Sequence, residues 1–129
     1  MLPLQTDEDV VRLRKQVREN LIGIGFSLIE QTKMITAASE LARNTLRYGG
    51  GGEAHIHFLS DGSRRGLELS FIDRGPGIEN INLALTDGYT SGDGLGLGLS
   101  GAKRLADEFF IDTALGKGTT VKIAKWKQF

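Results

Sequence analysis

The chain has no cysteine, no excess charge of either sign and no long apolar run, and each absence removes a class of function. Without cysteine there is no disulfide, no thiolate nucleophile and no cysteine-ligated metal, which agrees with a reducing compartment. Lys plus Arg number 16 and Asp plus Glu number 16, so no long-range field draws the protein to nucleic acid or to an anionic membrane. No stretch approaches the roughly 20 apolar residues that span a bilayer. Met1 to Asp9 lacks the basic stretch and apolar core of a signal peptide. These absences predict a cytoplasmic protein with no nucleic-acid partner and no membrane partner.

Glycine is what the chain has in excess: 18 residues among 129, against about 9 at an average usage near 7%. Most fall at 49 to 52, 75 to 77 and 92 to 101, so the excess is local and marks particular turns. A chain of this length has room for a single domain, residues 1–129, that buries about two-thirds of its extended surface and folds without staples.

The apolar pattern predicts alternating helices and strands. Leu2 to Gln5 reads as a short edge strand, and Thr6 with Asp9 imitates a capping box for a first helix running to about residue 22, ended by Gly23 and Gly25. Ser27 and Glu30 form the box of a second helix to about Arg47, with Ile35, Ala38, Leu41, Ala42 and Thr45 toward a sheet. Ala54 to Leu59 and Leu67 to Ile72 alternate as a hairpin, and Phe110 to Ala114 and Thr119 to Lys125 as another. Between the hairpins, 78 to 86 reads as a short helix, and a longer one starts at Leu95 or Leu99 and runs to about Phe109. The sum is an α+β fold, a two-layer sandwich of a mostly antiparallel mixed sheet with helices on one face.

Four groups of residues carry chemistry. Glu40 and Asn44, four positions apart on the second helix, share its face one turn apart. A carboxylate there can take or orient the proton of a phosphoryl acceptor, although Glu40 is also spaced to pair with Arg43 or Arg47. The Asn44 amide oxygen is a hard donor suited to Mg²⁺, or else bonds a neighbouring strand. Asp73 ends a strand before Arg74-Gly75-Pro76-Gly77 and can accept a hydrogen bond from an exocyclic amine, or simply open a Pro-Gly turn.

The run Gly94-Leu95-Gly96-Leu97-Gly98 leads into a helix whose N–H groups can hold phosphates. It is neither a Gly-Lys-Ser/Thr phosphate loop nor a dinucleotide fingerprint. Lys103 and Arg104 are nearby cations or ordinary helix-surface charges, and Arg43 and Arg47 meet phosphate or a partner or cover a helix edge. Asp93 is awkward beside phosphate and suits a helix cap. Gly116-Lys117-Gly118-Thr119 looks locally like a hairpin turn. His55 and His57 share a strand face without a third ligand, which argues against a metal there. Trp126 reads as a packing anchor.

In this order the residues resemble the GHKL ATPase superfamily, which includes gyrase-type ATPases, Hsp90 chaperones and histidine kinases. Glu40-Leu41-Ala42-Arg43-Asn44 is similar to its N box, Asp73-Arg74-Gly75-Pro76-Gly77-Ile78 to its first glycine box, and Gly94 to Gly98 to the second, in the ATP lid. Gly118-Thr119 is similar to its closing motif. The resemblance implies the Bergerat fold, ATP and Mg²⁺ as cofactors, Glu40 as general base and Asn44 as magnesium ligand. It also implies Asp73 as the adenine contact and Thr119 as a further contact to the base or its water. Gly75, Gly77 and Ile78 then line the base, Leu95 and Leu97 anchor the lid, and Arg43, Arg47 and Lys103 complete the nucleotide site.

Within the superfamily the whole chain resembles the RsbT-type switch serine/threonine kinases of the bacterial stressosome, through Ser39 to Asn44, Asp87-Gly88-Tyr89-Thr90, Gly101 to Phe109 and Ile123-Ala124-Lys125-Trp126. That likeness implies phosphorylation of STAS-domain scaffold proteins, RsbS-like and RsbR-like, and activation of a PPM-type, RsbU-like phosphatase after release. Two other readings stand beside it: an anti-sigma factor kinase of the SpoIIAB/RsbW type, and a nucleotide-gated protein-binding module.

Overall fold

A computed structural model of the protein describes residues 1–47, 50–75, 98–114 and 116–128. Strand β1, Leu2–Leu4, is followed by a capping box as its sequence predicts. The Thr6 hydroxyl accepts the Asp9 N–H at 3.2 Å, and the Asp9 carboxylate accepts the N–H groups of Gln5 and Thr6 at 2.9 and 3.1 Å. Those bonds, Gln5's foremost, together with the Arg12 guanidinium, hold the Asp9 carboxyl below the usual carboxylate range.

Helix α1 spans Asp7–Ile24, two residues longer than its apolar pattern suggests. Gly23 is carried inside it, at a modest propensity cost. The helix stops at Gly25, which has φ 102°. Gly25 N–H bonds Ile22 O at 3.0 Å and Phe26 N–H bonds Leu21 O at 3.1 Å, the paired bonds of a Schellman ending, with Phe26 and Leu21 both buried.

Helix α2, Leu28–Arg47, begins where Ser27 Oγ accepts the Glu30 N–H at 3.2 Å. Its buried stripe holds Ile35, Ala38, Leu41, Ala42 and Thr45, the five residues expected to face the sheet. The buried hydroxyls of Ser39 and Thr45 bond back to Ile35 O and Leu41 O at 2.8 and 3.0 Å, so neither is left unsatisfied.

The strands are longer than their alternating cores. β2 is Gly52–Ser60, β3 is Arg64–Asp73, β4 is Glu108–Ala114 and β5 is Gly118–Gln128. They form one sheet in the order β1-β2-β3-β5-β4, and every neighbouring pair among the described strands is antiparallel. The sheet is thus antiparallel throughout the described strands and not the mixed sheet expected, because each strand pairs with its neighbour through a hairpin or a return crossing of opposite direction. The turn between β2 and β3 is tighter than expected, because Ser60 already pairs with Arg65 and Gly62 takes φ 81°.

Helix α3, Gly98–Leu105, is shorter than the helix predicted to reach Phe109. Asp107 N–H bonds Ala124 O at 3.0 Å, and Glu108 and Phe109 pair with Ala124 and Ile123, so sheet pairing captures the end of that apolar run. The core lies between sheet and helices, with Leu13, Leu21, Met34, Leu41, Leu69, Phe71 and Ile123 fully or almost fully buried. No helix among the described residues is long and apolar enough to cross a membrane. The short helix expected over 78 to 86 lies outside the described residues, as do Tyr48, Tyr89 and Asp93.

Candidate functional site

Register places four residues side by side at one end of the sheet: Gly52 opposite Asp73, Asp73 opposite Thr119, and Thr119 opposite Thr113. Residues directly opposed in antiparallel strands point to the same face. Two residues along, the row Ala54, Phe71, Val121 and Ile111 belongs to the core under the helices. The first row therefore lies on the same helix-covered face, where the core opens out.

Two glycines make this end flat. A Cβ on Gly52 would run into Ile72 O and come within 2.9 Å of Thr45 Cγ2, and one on Gly118 would run into Asp73 O and lie 2.7 Å from Arg74 Cα. Gly118 also has φ 86°, a backbone that other residues rarely adopt. Gly52 does not stand out in the sequence, because it sits in a run that reads as a flexible connection, whereas Gly118 is marked only by its place in the closing motif. The signal was available in their positions next to strands that end at Asp73.

Asp73 closes β3, and its Oδ1 accepts the Gly75 N–H at 2.9 Å. One carboxylate oxygen thus orders the glycine turn, as the turn reading expects. Thr119 Oγ1 lies 2.8 Å from Thr113 Oγ1, and the Thr113 hydroxyl donates to Gly118 O at 3.2 Å.

Helix α2 brings the second half of the site. Thr45, buried over Gly52, ties the helix to the sheet row, and Asn44 precedes it by one residue. Glu40 and Asn44 are both half-buried, along a helix edge between the buried stripe and exposed Arg43 and Arg47. Glu40 Oε1 accepts from Arg43 at 3.2 Å, with side-chain exposures of 15% and 46%, so the predicted surface pair is real. The second carboxylate oxygen of Glu40 is not engaged by that contact. The Asn44 carboxamide makes no side-chain hydrogen bond among the described residues, which leaves its oxygen available as a hard donor.

Helix α3 packs against α2 and starts at Gly98, the last residue of the glycine run, beside the Glu40–Asn44 helix. Lys103 is exposed in the last turn of α3, about 7–8 Å along the axis from Gly98. Of the predicted residues the structure thus gathers Glu40, Arg43, Asn44, Asp73, Gly75 and Thr119 around α2 and the sheet row, and puts Lys103 at the far end of its helix. Gly77, Ile78, Gly94, Leu95, Gly96 and Leu97 lie outside the described residues.

Among the described residues no group of three or more His, Cys, Asp or Glu can hold a metal ion. His55 and His57 stack with ring centroids 6.2 Å apart on the face away from the helices, where His55 Nε2 meets Glu53 Oε2 at 2.7 Å. Trp126 packs on Gly66 under the Arg64 guanidinium, 4.2 Å from its ring centroid, as the anchor its sequence position suggests.

Residues 29–128 match the family described as histidine kinase-, DNA gyrase B-, and HSP90-like ATPase. The chain is 39% identical over 123 residues to the serine/threonine-protein kinase RsbT of Bacillus subtilis (strain 168), covering 95% of this chain and 92% of that protein. It is 33% identical over 104 residues to an anti-sigma F factor of Clostridium kluyveri, covering 77% and 72% of the two chains. Among solved structures it superposes on the RsbU and RsbW domains of a Mycobacterium tuberculosis protein with a TM-score of 0.66 and 23% identity, over 97% of this chain and 31% of that one. The mycobacterial sensor histidine kinase MprB gives a TM-score of 0.59 at 20% identity over 93% of both chains. These two structural likenesses carry the fold.

Proposed function

The chain belongs to the histidine kinase-, DNA gyrase B-, and HSP90-like ATPase family, and on that premise we propose that it is a cytoplasmic serine/threonine-protein kinase of the RsbT kind. It passes the γ-phosphate of ATP to a Ser or Thr of STAS-domain stressosome proteins. When released from them it binds and activates a PPM-type phosphatase. The observation that carries this reading is the placement of Glu40 and Asn44 one turn apart on α2, joined through Thr45 to the row that holds Asp73 and Thr119. The 39% identity to a serine/threonine-protein kinase directs the phosphate to a protein hydroxyl.

Each residue has a role set by its chemistry. The carboxylate of Asp73 and the hydroxyl of Thr119 receive the adenine end, with Gly75, Gly77 and Ile78 against the ring. The phosphates fall to the glycine run Gly94, Gly96 and Gly98 with Leu95 and Leu97, and to the N–H groups at the start of α3. Arg43, Arg47 and Lys103 add positive charge around them. Glu40 accepts the proton of the Ser or Thr hydroxyl as the hydroxyl oxygen bonds to the γ-phosphorus and the bond to the bridging oxygen breaks, leaving ADP.

Magnesium keeps several waters and takes only one or two protein ligands in nucleotide sites, so the unengaged oxygen of Asn44 fits it without further carboxylates. Bound there, the ion would neutralise phosphate charge.

Transfer of labelled phosphate from ATP to a purified STAS protein tests the reading. Glu40→Gln is expected to lower transfer by about 100-fold or more while ATP affinity stays within about threefold. Undiminished transfer would remove Glu40 from the chemistry.

The anti-sigma F factor likeness supports a second reading, a kinase that also sequesters a sigma factor. Pull-down from native extract separates the two: a STAS scaffold and a phosphatase support the first, and a sigma factor the second.

A further inference from the structure

The two edges of the sheet are built differently. β1 is three residues long with Pro3 at its centre, which has no N–H to offer a further strand, so that edge is blunted. β4, at the other edge, runs seven residues from Glu108 to Ala114 in unbroken register with β5 and contains no proline, no lysine and no bulge. Among the described residues no strand pairs with its outer side. It is an open row of backbone donors and acceptors, ready to take another strand.

Side chains make this edge specific. Phe109 and Ile111 pack toward the core, so the alternate residues Glu108, Phe110 and Asp112 lie on the face away from the helices. All three are exposed, Phe110 at 54%. Lys122 stands opposite Phe110 on β5, and its Nζ leans over the ring, 5.9 Å from the centroid, toward the edge.

We propose that β4 is a self-pairing edge: two copies of the chain join their β4 strands antiparallel about a two-fold axis at Ile111 and make one continuous sheet. Charge selects the register. Centred on Ile111, the pairing sets Phe110 against the second copy's Asp112 and Glu108 against Ala114, with no like charges opposed. Centring on Phe110 would set Glu108 against Asp112, and centring on Asp112 would set that carboxylate against itself, both repulsive. A slip of one residue would turn the helices of one copy to the opposite face.

In the favoured register Lys122 and the second copy's Asp112 lie two strands apart, about 10 Å between Cα atoms. Their side chains span that distance over Phe110, toward which Lys122 already leans. Symmetry makes this ion pair twice and places the two Phe110 rings as diagonal neighbours. A second copy thus supplies equal strand length, opposite charge and an apolar centre.

Sedimentation velocity over a concentration series reaching millimolar protein is expected to show monomer passing into dimer. Lys122→Glu and Asp112→Lys each set like charges across the axis twice. Each should weaken dimerisation by about tenfold or more, one exposed ion pair corresponding to up to about fivefold. The double variant exchanges the charges and should return to within about threefold of wild type. Equal melting of all variants at low concentration separates lost pairing from lost fold. The chain has no cysteine, so Ile111→Cys puts a single thiol on the axis. Mild oxidation should link two copies through it, whereas Glu108→Cys should link poorly.

A wild type that stays monomeric at millimolar concentration would overturn the proposal and leave the edge to another protein's strand or to none. A dimer indifferent to the charge variants, or not restored by the exchange, would overturn it too, as would Glu108→Cys linking as readily as Ile111→Cys. Phe110, Asp112 and Lys122 take no part in the proposed nucleotide site, so that reading stands or falls separately on phosphate transfer.

Discussion

Lys125 is buried to 3% exposure in β5, yet its ammonium is not stranded. Nζ lies 2.9 Å from Glu30 Oε2 at the start of α2, 3.5 Å from Asp107 Oδ1, and donates to Leu105 O at 3.2 Å at the end of α3. The residue thus links the strand to both helices that flank the site. Replacement by methionine keeps most of the stem and removes the charge. The side chains of Glu30 and Asp107 are 35% and 44% exposed, so each ion pair contributes at most about 1 kcal/mol. The bond to Leu105 O adds about 1 kcal/mol, for a loss of about 2–3 kcal/mol.

Against this stands the cost of keeping an ammonium out of water, several kcal/mol for a buried ion. Both carboxylates reach solvent, so they rehydrate once the ammonium has gone. The two effects nearly cancel, and Lys125→Met should lie within about 1 kcal/mol of wild type. Lys125→Ala also removes three methylenes at about 0.8 kcal/mol each and leaves a cavity, so it should lose about 2–4 kcal/mol more than methionine. Urea unfolding of the three proteins at constant m-value decides the matter. A methionine variant destabilised by more than about 3 kcal/mol, or an alanine variant equal to it, would show that the charge and not the stem holds these elements together.

Two further outcomes follow from the backbone and the first helix. Gly118→Ala should lose about 2–4 kcal/mol, from the left-handed backbone and from the clash with Asp73. Gly62→Ala has a similar φ of 81° but nothing within 4 Å of its Cβ, so it should lose only about 1–2 kcal/mol; equal losses on chemical denaturation would contradict the crowding argument. The Asp9 carboxyl is held below its ordinary value of 3.8 by the Gln5 and Thr6 N–H groups and by Arg12. A depressed carboxyl stabilises the fold above its unfolded pKa, and that contribution disappears as pH falls through the lower folded value. Asp9→Asn should therefore be the less stable protein near neutrality and show a shallower fall in stability below about pH 4; parallel acid limbs would assign the acid sensitivity elsewhere.

The helix caps and the buried stripe of α2 were legible because they depend on neighbours within a few residues. Thr6 and Asp9, Ser27, and the residues from Ile35 to Thr45 stand where local pattern puts them. The ends of β2 and β3 were not legible, since Gly52 and Arg64 join the sheet through Asp73 and Gln128, partners distant in sequence. The same cause shortened α3: the run after Leu105 is apolar enough for a helix, and pairing with β5 decides otherwise. Lys125 escaped notice because a lysine in a strand reads as solvated unless its helix partners are known. At the site, the order of Glu40, Asn44, Asp73 and the glycine-rich runs was legible as a family pattern that the match over residues 29–128 bears out, whereas the side-by-side placement of Thr113 and Thr119 emerged only from strand register.

The site has two halves that respond differently to substitution, and Thr45 is the joint between them. The sheet row depends on backbones that approach too closely for a Cβ, so a change at Gly52 or Gly118 disturbs the fold and the row together. The edge of α2 depends on half-exposed side chains that make few internal bonds, so Glu40 and Asn44 contribute little to the core. A chain under selection for stability alone would have no reason to keep, in a helix interior where its propensity is poor, an asparagine with no side-chain hydrogen bond among the described residues. The two halves thus differ in kind: the sheet row is held by close backbone contacts, and the edge of α2 is held by few contacts of its own.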